Sequence, residues 1–189
     1  IQLLMALKKR AHNNKSGRVF SNRGKYEKDI FNSLDFTLTD AQILVLREIR
    51  SDLANNKPMN RLIQGDVGSG KTIVAILATA IVISHGAQVA VMAPTEILAT
   101  QHYNSFVKFC KPAGIRIEIL IGNLKKAEKE KIYHDLESGE IQLVIGTHAL
   151  IQEEVNFMDL GMIIVDEQHR FGLNNVRSSL IKAISLKSW

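Results

Sequence analysis

Eight consecutive residues, Gly65, Asp66, Val67, Gly68, Ser69, Gly70, Lys71 and Thr72, fit the pattern glycine, four residues, glycine, lysine, threonine. Each residue type answers a demand made by phosphate groups. Glycines let backbone N–H groups curl around anionic oxygens, and a helix that starts where the loop ends aims the positive end of its dipole at them. Lys71 adds a point charge on a long stem for the outer phosphates, and the Thr72 hydroxyl suits Mg²⁺. The alternative is an accidental glycine turn; the apolar residues before the loop and the helical pattern after it favour nucleotide binding. Far downstream, Met162, Ile163, Ile164 and Val165 lead into Asp166 and Glu167. Four apolar residues ending in two carboxylates read as a buried strand with both acids at its tip. There Asp166 would hold the hydration shell of Mg²⁺, and Glu167 would polarise an attacking water as general base. Alone, such a pair is an ordinary solvated strand end. Behind a full phosphate loop it points to hydrolysis of a nucleoside triphosphate rather than to binding alone.

These groups need a scaffold, and the pattern around them supplies one. Thr39 and Asp40 can cap a helix reaching about residue 55, with Ile43, Leu46 and Ile49 as its stripe. Residues 61–64 form a short strand running into the glycine loop. Further strands are expected at 88–92, 115–121, 142–145 and 162–165, and helices at 71–85, 95–110 and 124–137. Val176, Leu180 and Ile184 read as a terminal helical stripe. Short apolar strands alternating with long helices give an α/β fold, a mostly parallel sheet with helices on both faces and ligands at the carboxyl ends of the strands.

Composition bounds the reading further. The chain has 189 residues, 46% hydrophobic and 23% charged, enough apolar material for a real core. Its longest apolar stretch, 72–84, is shorter than the roughly 18 residues of a membrane span, so no membrane role is expected. The single cysteine, Cys110, excludes an internal disulfide and a zinc cluster and fits a reducing compartment. The net charge of +5 is local: residues 1–30 hold eight Lys/Arg against Glu27 and Asp29. The remaining 16 basic and 17 acidic residues nearly balance. Such a basic arm can meet phosphates or be a solvated linker.

Several segments together resemble a known family. Asp166-Glu167-Gln168-His169 resembles motif II of superfamily 2 helicases and translocases. Residues 93–102, beginning Ala-Pro-Thr-Glu, resemble motif Ia. Gly146-Thr147-His148-Ala149-Leu150 resembles motif Ib, and the segment 36–42 resembles the upstream adenine-reading element. Taken in combination over about residues 36–172, the motifs are similar to those of the RecG-type family of bacterial branch-migration DNA helicases. The related transcription-repair coupling factors are the nearest alternative; there Glu is expected at position 168 and Phe at 69.

The resemblance implies a RecA-like ATP-binding domain, with ATP and Mg²⁺ as cofactors and branched or double-stranded DNA as partner. It implies Gln42 as the adenine-reading residue, and an amide suits the N6/N7 edge of that base. Phe36 reads as core rather than as a base contact. Thr95 and Thr147 are expected to touch the DNA backbone with His148 nearby, while Gln168 and His169 couple nucleotide state to DNA. The alternative for the threonines is helix capping. Gly122-Asn123 reads as an ordinary turn, and the alternating Lys and Glu after Lys125 as a solvated helix. The chain then divides into a basic N-terminal linker or helical arm over 1–35 and the first RecA-like domain over 36–189, ending before motif III. A wedge domain ahead of it, and motif III with a second motor domain after it, are expected in the full-length protein. The implied location is the bacterial cytoplasm, with the nucleoid. A phosphate-loop kinase or GTPase shares the first motif, but no Asn-Lys-x-Asp guanine-reading segment is present. A nucleotide-binding pseudo-motor without activity is the non-enzymatic alternative.

Overall fold

The computed structural model describes residues 18–21, 24–57, 59–166 and 182–187. Among these, β1 (Asn60–Gln64), β2 (Gln88–Met92), β3 (Ile117–Leu120), β4 (Leu143–Gly146), β5 (Leu160–Asp166) and β6 (Lys182–Lys187) form one sheet. Their order is β1-β6-β5-β2-β4-β3, and every pairing is parallel. The helices are α1 (Lys25–Asn32), α2 (Asp40–Leu53), α3 (Lys71–Ser84), α4 (Glu96–Cys110) and α5 (Lys126–Glu137), with a 3₁₀ turn at His148–Ile151.

The crossover rule explains which face each helix covers. From β1 to β2 to β3 the chain advances in one direction along the sheet, and α3 and α4 both pack into the same core cluster. From β3 to β4 it turns back, and α5 falls into the cluster on the opposite side. Right-handed parallel crossovers require that exchange of faces when the direction reverses. Alternation along β5 shows the two faces: Met162 and Ile164 belong to the first cluster, Ile163 and Val165 to the second. Helix α3 is apolar nearly all round because the sheet lies on one side of it and α1 and α2 on the other; its residues from Ile73 to Ile83 are all buried.

Local signals set the helix starts. The Thr39 hydroxyl accepts from Gln42 N at 3.3 Å and Gln42 Oε1 accepts from Thr39 N at 2.9 Å, a complete capping box for α2. The Thr95 hydroxyl accepts from Leu98 N at 3.3 Å to begin α4. The buried Gln88 amide donates to the carbonyls of Leu136 and Ile141 at 2.9 and 2.7 Å. It accepts from Asp159 N at 2.9 Å, so β2, α5 and the entry to β5 are joined at one side chain. Gly122 and Asn123 form a turn, and Lys126 and Glu130 pair across an exposed face of α5, as their sequence implies.

Two expectations are corrected, and the helical arm gains a definite place. Ile184 lies in β6, not in a terminal helix; Val176 and Leu180 fall outside the described residues. A strand between two others is covered on both faces, so Ala183, Ile184, Ser185 and Leu186 are all buried and show no alternation to distinguish them from a helical stripe. Residues 25–32, taken with the basic arm, form α1, whose Ile30 is fully buried beside Phe20 in the core. Arg18 anchors the segment before it by pairing with Asp159 and donating to the His85 carbonyl at 2.6 Å. Phe36 is 45% exposed rather than core, because it lies in the irregular link between α1 and α2.

Lys182 is the unusual residue of β6. Fully buried, its ammonium donates to the carbonyls of Asp52, Asn55 and Lys57 at 2.9, 2.7 and 2.6 Å. It thereby neutralises the negative end of α2 and holds that end against the sheet. Lys182→Met should lower stability by about 1–3 kcal/mol, since it leaves these carbonyls without their charged donor. Urea unfolding checks this, and an unchanged midpoint would count against the anchor. Cys110 is buried, and burial pushes its thiol up to about 12. At pH 8 about one molecule in ten thousand then carries a thiolate. Alkylation should track unfolding; labelling of the native chain at the rate of a free thiol would contradict the burial.

Candidate functional site

In a parallel sheet all strands end on one edge, so the loops after them meet there. Read across that edge, the phosphate loop follows β1, Asp166 ends β5, Thr95 follows β2, Thr147 follows β4 and Gly122 follows β3. The register keeps the ends level. Gln64 pairs with Lys187, Leu186 with Asp166, Val165 with Met92, and Met92 with Gly146. With strands about 4.8 Å apart, β1 and β5 are separated by roughly 10 Å, with β6 between them.

The phosphate loop leaves β1 with Gly65 N donating to the Lys187 carbonyl at 3.3 Å, which ties its start to β6. Ser69 N donates back to the Asp66 carbonyl at 3.1 Å, closing a tight turn. Gly68 and Gly70 have φ of 82° and 76°, conformations in which a side chain is strained. A Cβ on Gly70 would also collide with the Gln42 amide, whereas the space around Gly68 is open. Asp66, Val67 and Ser69 are exposed, Val67 at 81%.

Lys71 folds over this loop. Its ammonium donates to the carbonyls of Gly65 and Asp66 at 2.8 and 2.6 Å and to Ser69 Oγ at 3.3 Å. Helix α3 begins at Lys71 behind Gly70, which has no side chain to cap the first N–H groups. Among the described residues Lys71 is held only by neutral oxygens, and such a cation beside a helix start on the same loop suits a phosphate anion. Thr72 lies in the first turn of α3, partly exposed. A hydroxyl there and the Asp166 carboxylate across the edge are hard oxygen donors, the type Mg²⁺ takes.

Gln42 reaches the loop from α2. While its Oε1 completes the capping box, its Nε2 donates to the Ser69 carbonyl at 3.0 Å. The structure therefore brings the predicted adenine-reading residue to the phosphate loop itself. Phe36 is exposed in the link that precedes the same helix. On the other part of the edge, Thr95 is exposed and engaged in capping, Thr147 is 9% exposed, and His148 faces solvent. Glu167, Gln168 and His169 lie outside the described residues.

One site residue had no place in the sequence reading beyond its motif. His102 Nε2 lies 2.6 Å from Asp166 Oδ2, with side-chain exposures of 14% and 18%. The signal was present: Ala99, His102, Phe106 and Cys110 follow helical spacing, and the other three are core residues. A histidine on that stripe needs a polar partner, which the sequence could not name.

Comparison with known proteins follows this layout. A family model described as DEAD/DEAH box helicase matches residues 39–188. The chain is 46% identical over 172 residues to the ATP-dependent DNA helicase RecG of Aquifex aeolicus, covering 91% of this chain and 22% of that one. It is 53% identical over 150 residues to RecG of Thermotoga maritima, covering 79% and 19%. A solved structure of RecG bound to a three-way DNA junction superposes with a TM-score of 0.81 at 43% identity, over 98% of this chain and 26% of that one. The chain thus spans about a fifth to a quarter of the length of these relatives. The sheet is RecA-like, and among the described residues no helix is long and apolar enough to cross a membrane. With the family's pattern running from the helix that carries Gln42 to the last strand of the sheet, the chain belongs to the DEAD/DEAH box helicase family.

Proposed function

We propose that the chain is the ATP-binding motor domain of a RecG-type helicase that remodels forks and junctions by ATP-driven translocation on double-stranded DNA. The observation that carries this reading is the single sheet edge on which a complete phosphate loop, Asp166 and the motif Ia and Ib segments are arrayed in order. The similarity to RecG chains over the same residues supports it.

In this reading Lys71 exchanges the loop carbonyls for the outer phosphates of ATP, and the first N–H groups of α3 take the remaining phosphate oxygens. Thr72 and Asp166 are the residues that would hold Mg²⁺, which when bound supplies positive charge against the phosphate oxygens. Glu167 accepts a proton from water as the water oxygen attacks the γ-phosphorus in line. The bond to the bridging oxygen breaks, and ADP and phosphate leave. Gln42 reads the adenine edge from a position already bonded to the loop.

Thr95, Thr147 and His148 meet the DNA backbone on the β2–β4 part of the edge, where phosphate contacts position the duplex without reading sequence. Gln168 and His169 link the two halves. A second RecA-like motor domain and a wedge domain complete the machine in the full-length protein, in the bacterial cytoplasm with the nucleoid. Residues 1–35 serve as the basic arm leading into the motor, with Phe20 and α1 seated on the motor's core, and 36–189 as the body of the motor. A second motor domain carries the arginine fingers in this reading, and one such finger is worth about 10³–10⁵ in rate. The 189-residue chain by itself therefore binds nucleotide but turns it over very slowly.

Calorimetric titration of ATP with Mg²⁺ into this chain and into Lys71→Ala, followed by turnover with and without forked DNA, tests the proposal. Expected is binding that weakens at least about tenfold in Lys71→Ala, about 1.4 kcal/mol, with near-absent turnover on either DNA condition. A folded sample that binds no ATP would overturn the site assignment. DNA-stimulated turnover of helicase magnitude would overturn the requirement for a second domain.

A further inference from the structure

The geometry points to His102 as a positioning residue that fixes the Asp166 carboxylate for Mg²⁺ and makes the seat of α4 part of the metal side of the site. The inference rests on the reading of Asp166 as the Mg²⁺-side carboxylate and goes beyond it in naming what holds that group.

Asp166 is the last residue of β5 and pairs with Leu186 in the ladder, which fixes its backbone but not the direction of its carboxylate. By alternation it follows Met162 and Ile164, whose face of the sheet is the one covered by α3 and α4. Helix α4 follows β2, the neighbour of β5, and packs over β4 and β3; from there the His102 side chain reaches back to the end of β5. His102 stands on the inward stripe of α4 between Ala99 and Phe106, both fully buried. Packing on either side therefore limits where the imidazole can point, and it points at Asp166 Oδ2.

An ionised carboxylate can only accept, so the bond requires the hydrogen on Nε2. It engages one carboxylate oxygen, Oδ2, and among the described residues no hydrogen bond occupies the other, which can then face a cation. Carboxylates that bind metals gain their orientation from such outer partners, and removing one typically costs about 10–100-fold in metal affinity. The same helix is fixed at its start. Glu96 Oε1 accepts from Gly122 N at 2.8 Å, and Thr95 caps α4 about 10 Å from His102 along the axis. A rigid helix thus spans from a candidate DNA contact to the carboxylate at the end of β5.

The test is titration of a fluorescent ADP analogue into this chain at Mg²⁺ concentrations from zero upward, for the unsubstituted chain, His102→Leu and His102→Gln. Gln places an amide N–H close to where Nε2 stood. His102→Leu should raise the Mg²⁺ concentration for half-maximal strengthening of binding about tenfold, with Mg²⁺-free affinity unchanged, and His102→Gln should return it to within about twofold. His102→Asn, whose amide falls short of Asp166, should behave like Leu and serves if Leu weakens the fold. Equal loss with and without Mg²⁺ overturns the proposal, because it marks a merely structural contact. So does an unchanged Mg²⁺ requirement in His102→Leu, or a Gln variant no better than Leu. If the unsubstituted chain shows no Mg²⁺-strengthened binding, the reading of Asp166 itself fails and the inference goes with it.

Discussion

The site depends on β6 lying between β1 and β5. That insertion holds the phosphate loop and Asp166 two strand spacings apart, roughly 10 Å, instead of side by side. Adjacent strands would bring loop and carboxylate too close to leave room for a nucleotide's terminal phosphate between them. β6 is itself held from both ends. Lys182 pins its first residue to the carbonyls that finish α2, and the carbonyl of Lys187 receives Gly65 N where the loop begins. The geometry of a polar site is thus set by a buried strand that contributes no group to its chemistry.

Beyond β5 the edge changes character. On the β1 side the loop is glycine-rich and presents backbone amides and one lysine. On the β2–β4 side it presents an exposed threonine at the start of α4 and an exposed histidine at the start of the 3₁₀ turn, with Thr147 buried beneath. Between the halves stands Asp166, approached by α4 from the flank that carries Thr95. The apolar surround of α3 makes its half rigid: a helix packed on all sides cannot tilt without disturbing both the sheet and α1 and α2.

How much of this was legible in the sequence varies with the kind of signal. The phosphate loop, the caps at Thr39 and Thr95 and the strands β2 and β5 are local patterns, and local patterns could be read. The place of α1 was not legible because Lys25, Lys28 and Asp29 dominate its composition, while its burial depends on Ile30 and on the neighbouring Phe20 meeting α3, a contact between segments far apart in sequence. β6 was misread because a strand covered on both faces loses the period that identifies strands. Phe36 was misplaced since hydrophobicity predicts burial only on average. The pairing of His102 with Asp166 joins residues 64 positions apart, and only the order of strands brings them together.

Gln42 shows what such economy entails. One amide starts a helix through Thr39 and fastens the phosphate loop through Ser69. Its oxygen retains a second lone pair and its nitrogen a second hydrogen, so a purine edge can join without displacing either bond. If Gln42 reads the base as proposed, base choice, helix initiation and loop shape share one side chain and cannot be tuned independently. A shorter or charged replacement meant to alter nucleotide preference would also fray α2 and slacken the loop, so the position resists piecemeal redesign.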